Sequence, residues 1–229
     1  CDLDVVSGYM DGTTPERADY YFVGRQRVPP FQYFWRKAQI EITPTCVAVN
    51  PAAWSEWKAV DIQPAGRVLD MRPVVWNGRL CLVWAEWRDK VGEIIKADPP
   101  DPDKDDRSRF VPHQLDINVA FMRQNGQWSA PLSLHRRDCE YDVSNGRLTV
   151  VSLGDGDPKD DRLAVCYTNR HGLDGTASFH EVEIHETRDA LFRKVPDDTA
   201  TLLAMTFGRF SDAASLQQKV VPADYSTVE

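Results

Sequence analysis

Asn77-Gly78-Arg79-Leu80 opens an apolar run through Val83-Trp84, and Asp101-Pro102-Asp103-Lys104-Asp105-Asp106-Arg107 follows it. Further on, Asn145-Gly146-Arg147-Leu148 opens a second apolar run through Val151, and Asp157-Pro158-Lys159-Asp160-Asp161-Arg162 follows that. Asn-Gly is the strongest two-residue hairpin signal, because both residues tolerate the positive φ that such a turn demands. Each copy therefore reads as a turn, a strand, an acidic loop and another strand. A hairpin unit that recurs along a chain predicts repeated β-structure, radial or linear, such as a propeller. The first acidic loop is the longer of the two.

The remaining segments extend the same pattern. Residues 2–10, Tyr20 to Arg25, Phe31 to Ile42, Trp54 to Val60, Val68 to Trp76, Gln114 to Arg123, Trp128 to Leu134, Leu163 to Thr168 and Ser178 to Glu186 read as strands separated by turn residues. Arg79 to Trp87 is apolar at nearly every position, which predicts a strand buried on both faces. Ser211 to Lys219 is the best helix candidate, with Ser211 as N-cap. The expected fold is all-β, with sialidase-like antiparallel sheets, a partial β-propeller and at most one or two short helices. The expected core includes Cys81, Val83, Val119, Phe121, Val150, Leu163 and Val165.

Length, charge and cysteine usage narrow the function classes. The 229 residues suit one large β domain, taken as 1–229, and a hydrophobic content of 42% can fill a core. A net charge of −8 argues against a nucleic-acid partner, whose phosphates need a cationic surface. The five cysteines form no CxxC pair, and Cys81 and Cys166 sit in apolar runs as inert buried thiols. The chain opens without Met and shows no leader, which is expected of a segment of a much larger polypeptide.

Candidate chemistry is sparse. His180 and His185 are five residues apart on a strand, hence on opposite faces, and make a poor metal pair. Asp101, Asp103 and Asp105 have calcium-loop spacing, but the glycine and the bidentate glutamate of that loop are missing. No metal or cofactor is expected. Arg72-Pro73, followed by Glu86, Arg88 and Asp89, is the more informative group. Its arginines suit a bidentate carboxylate contact and its acids suit acid–base work. The same residues also suit ordinary ion pairs at strand ends.

Arg72-Pro73 followed by Leu82-Val83-Trp84-Ala85-Glu86-Trp87-Arg88 resembles the first blade of sialidases. That match would make Arg72 and Arg88 pocket arginines and Asp89 the acid that follows. The isoleucine between Arg and Pro is missing, no Ser-x-Asp-x-Gly-x-x-Trp box occurs, Asn125-Gly126-Gln127-Trp128 being only a degenerate echo of one, and no Tyr–Glu nucleophile pair can be placed. A second resemblance covers nearly the whole chain. Val5-Val6-Ser7-Gly8-Tyr9, Tyr21-Phe22-Val23-Gly24-Arg25, Tyr33-Phe34-Trp35-Arg36-Lys37, Trp54-Ser55-Glu56-Trp57 and Arg72-Pro73-Val74 follow in order. So do Leu82-Val83-Trp84 and Asn125-Gly126-Gln127-Trp128. Together they resemble the neuraminidase-like region of the A component of bacterial toxin complexes. That resemblance implies a secreted, homopentameric, pore-forming insecticidal toxin subunit that translocates a toxic enzyme. In it this region would be a non-catalytic shell module or one that binds host glycans or receptors. A sialidase-related glycan-binding or glycoside hydrolase domain is the alternative.

Overall fold

The computed structural model describes residues 2–42, 51–89, 91–95, 107–139, 142–153, 161–171, 179–196 and 216–218. The acidic stretches 98–106 and 155–160, with the calcium-like spacing, lie outside the described residues.

Three antiparallel meanders follow one another along the chain. The first holds β1 (Leu3–Thr14), β2 (Arg17–Gln26), β3 (Tyr33–Glu41) and β4 (Lys58–Ala59). The second holds β5 (Arg67–Trp76), β6 (Arg79–Arg88), β9 (His113–Phe121) and β10 (Leu132–Cys139). Between β6 and β9 the chain makes a separate hairpin of β7 (Val91–Ile95) and β8 (Arg107–Val111). The third holds β11 (Arg147–Leu153), β12 (Arg162–His171), β13 (Phe179–Arg188) and β14 (Lys194–Val195). Among the described residues the sheets do not close into a propeller ring. The only helical element there is a 3-10 turn at Pro51–Ala53.

The second sheet is the middle layer, with β5 packed against β1 on one side and β11 on the other. Its odd-numbered β6 residues Cys81, Val83, Ala85 and Trp87 join Leu148, Val150, Leu163, Val165 and Tyr167 in one core. Its even-numbered residues Leu80, Leu82 and Trp84 join Val23, Tyr33, Val60 and Met71 in another. A strand with a core on each face needs apolar residues on both, which is why β6 is apolar at nearly every position from Leu80 to Trp87. The expected core residues are buried except Phe121, which is only partly so and stacks on Phe192. Cys81, Cys139 and Cys166 are buried. Burial pushes the Cys81 thiol up to about 12.

Turn chemistry separates the two Asn-Gly copies. Asn77 and Gly78 both take positive φ, as a two-residue hairpin requires. Asn145-Gly146 precedes the first strand of its sheet rather than joining two paired strands. There glycine is needed for space: a Cβ on Gly146 would fall 2.4 Å from the Tyr167 ring. The copies thus occupy non-equivalent strands, β6 being second in its sheet and β11 first. The structural repeat is the four-stranded meander, not the sequence module.

Two expectations are corrected. Leu216–Gln218, placed in a helix by the sequence reading, is a strand, β15. It pairs with β1 in parallel, Gly8 opposite Leu216, so the sheets are not wholly antiparallel. A free ladder edge on β1 outweighs a weak local helix preference. Trp54 to Val60 is not one strand either. Arg36 lies over both the Trp54 ring (4.0 Å) and the Trp57 ring (4.8 Å). Residues three apart in a strand point to opposite faces, so the chain breaks there to bring both rings to one cation.

Candidate functional site: strand-end carboxylates and an arginine-lined hollow

The four residues singled out by sequence do not converge. Arg72 pairs across the ladder with Val83, on the face that meets the third sheet. Its Nη2 lies 2.9 Å from Asp70 Oδ2, and that oxygen also accepts from the Leu148 backbone N–H at 3.1 Å. The pair therefore ties β5 to β11. Glu86 and Arg88 point to the opposite face. Glu86 Oε1 accepts from Trp84 Nε1–H at 2.8 Å and from the Ala65 N–H at 3.2 Å. Arg88 donates to buried Asp116 at 2.6 Å, which Arg136 of β10 clamps from the other side at 2.8 Å. Asp89 accepts from Trp87 Nε1–H. Each acid is thus engaged by a donor of its own or a neighbouring strand. Among the described residues no group of three His, Cys, Asp or Glu could hold a metal ion.

A hollow lies elsewhere, at the joint between the first two sheets. It has two lobes of about 490 and 300 Å³ that share Arg25, Tyr33, Val68 and Leu69. Arg67 lines the larger lobe and Arg147 the smaller. The floor follows from a β-bulge: the register skips between Val68 and Asp70, so Leu69 faces no partner on β6. Tyr33 is buried and hydrogen-bonded to Arg25. Burial raises its hydroxyl pKa, against the opposing effect of that arginine. The three arginines stand at the end of β2 and the starts of β5 and β11. Nothing in the sequence joins them, because each belongs to a different sheet.

The family model for the neuraminidase-like domain matches residues 3–157, which span the first two sheets and β11. The chain belongs to the neuraminidase-like domain family. Among relatives of this neuraminidase-like domain, the toxin subunit YenA2 of Yersinia entomophaga is 29% identical over 163 residues. The match takes in 69% of this chain and 11% of YenA2. The cryo-EM structure of Morganella morganii TcdA4 superposes with a TM-score of 0.66 at 21% identity, over 96% of this chain and 9% of that one. The chain thus spans about a tenth of the length of these relatives. The resemblance carried by the sequence motifs agrees with both.

A third polar centre joins the second and third sheets of this neuraminidase-like domain. Buried Glu186 of β13 meets His135 Nδ1 of β10 at 2.8 Å and Lys194 Nζ of β14 at 3.0 Å, and it is paired with Arg188. Burial opposes its charge. The bonds from His135 and Lys194 and the charge of Arg188 outweigh that and hold the carboxyl at about 2, against an ordinary 4.5. A depressed carboxyl pKa gives stability that is complete above the unfolded value and is lost as pH falls through the folded one. The wild-type chain should therefore lose stability between pH 4.5 and about 2 more steeply than Glu186→Gln. Urea midpoints at stepped pH measure this. Parallel curves for the two proteins would contradict it.

Proposed function

We propose that this domain is a non-catalytic structural module of a large, secreted, homo-oligomeric toxin A-type subunit. In that role it forms part of an outer shell, and its partners are the other domains and subunits of the toxin. The observation that carries the reading is the use made of its acids. Asp70, Glu86, Asp116 and Glu186 are each held by one or more donors, and Asp70 and Glu186 tie neighbouring sheets together. A general acid or a nucleophile must instead present a carboxyl group to a substrate. The exposed aromatics are similarly occupied: Phe31 lies under Arg25, and Trp54 lies under Arg36 and against Phe22. The family membership and the toxin-subunit relative give the module its setting.

The test replaces residues 3–195 by a flexible linker in the full-length polypeptide, followed by electron microscopy of the assembled particle. The expected particle has an opening in its outer wall where the domain stood. An outer wall without a gap would overturn the proposal.

A further inference from the structure

The hollow between the first two sheets is cationic on a chain of net charge −8. Among the described residues none of Arg25, Arg67 and Arg147 is in an ion pair, although ten other ion pairs are present. The Nε of Arg25 is buried with no hydrogen-bond partner. The one carboxylate in the lining, Asp70, is already held by Arg72 and the Leu148 N–H.

The arginines are spread along the hollow rather than gathered at one point. Arg67 serves one lobe, Arg147 the other, and Arg25 both. Between them apolar side chains form part of the wall, among them Val5, Val6, Val68 and Leu69. A single small anion would engage one lobe and leave the other cation unmatched. An extended peptide with acidic side chains at alternate positions meets both cations and lays its intervening residues on the apolar floor. The bulge at Leu69 leaves backbone there outside the β5–β6 ladder, where an extended chain finds hydrogen-bonding groups.

We infer that this hollow is a docking site for an extended acidic peptide segment, whose carboxylates pair with Arg67 and Arg147 on either side of Arg25. The site shares no arginine with the ties between sheets, so it stands or falls apart from the structural role.

The test is fluorescence anisotropy of the 229-residue chain with a labelled peptide of alternating glutamate and valine. Its partner probe has glutamine in place of glutamate. The glutamate peptide should bind, weaken as salt rises, and outbind the glutamine peptide by about tenfold or more, as expected when charge-assisted bonds are lost. Arg67→Gln and Arg147→Gln should each weaken it by about tenfold, with melting temperatures close to wild type. In the double variant Arg67→Glu/Arg147→Glu, preference should pass to a lysine–valine peptide, which guards against mere loss of folding. Equal binding of the glutamate and glutamine peptides would overturn the proposal. So would unchanged affinity in both single variants, or displacement by free glucuronate or inorganic phosphate at the peptide's own concentration, which would make this a small-anion site.

Discussion

Asp70→Ala is expected to destabilise the chain by about 3–5 kcal/mol. Arg72 is among the largest fully buried side chains, with 1% of its side chain exposed, and Asp70 neutralises it through contacts to both Nη2 and Nε. Removing the carboxylate takes a counter-charge from a buried guanidinium and also frees the Leu148 N–H, the bond that crosses to the third sheet. The attraction itself is not what makes the effect large. Most of it comes from taking a counter-charge away from a group that is shielded from water. An apolar double replacement, Asp70→Leu with Arg72→Met, should therefore recover most of the loss. Urea denaturation of the wild type and the two variants measures both effects. A change below about 1 kcal/mol for Asp70→Ala would mean that the Asp70 carboxylate is not what stabilises the buried Arg72.

Trp84→Ala should cost about as much, roughly 3–5 kcal/mol, for a different reason. The ring is 1% exposed and fills the core between the first two sheets. Its deletion leaves a cavity in the core that it shares with Leu82, Met71 and Tyr33, and it also takes a donor from buried Glu86. Trp84→Phe separates the two contributions. It keeps most of the packing and loses the indole N–H, so about 1–3 kcal/mol is expected. Equal losses for Ala and Phe would show that the hydrogen bond, not the cavity, dominates.

Much of the middle layer is legible in the sequence. The run from Leu80 to Trp87 states its burial on both faces, and Asn77-Gly78 states the turn. That turn held a further signal. A two-residue hairpin pairs Trp76 with Arg79 and therefore Arg72 with Val83. Arg88 is an odd number of residues beyond Val83, so Arg72 and Arg88 must face opposite sides. Counting the register would have separated them before any coordinates. The arginine hollow had no comparable signal, because Arg25, Arg67 and Arg147 meet only through the stacking of three sheets. The β15 ladder was hidden for a related reason. Pairing between Leu216 and Gly8 is a long-range contact, and local propensity around Ser211 pointed the other way.

Incubation of the purified chain with a fluorogenic sialoside tests the central claim most directly. A domain whose acids serve as ties between and within sheets should release no fluorophore above the buffer rate from pH 4 to pH 8, the range in which sialoside chemistry with carboxyl groups would run. Turnover that co-purifies with the folded chain and falls with Glu86→Gln would contradict the structural account and establish a glycosidase.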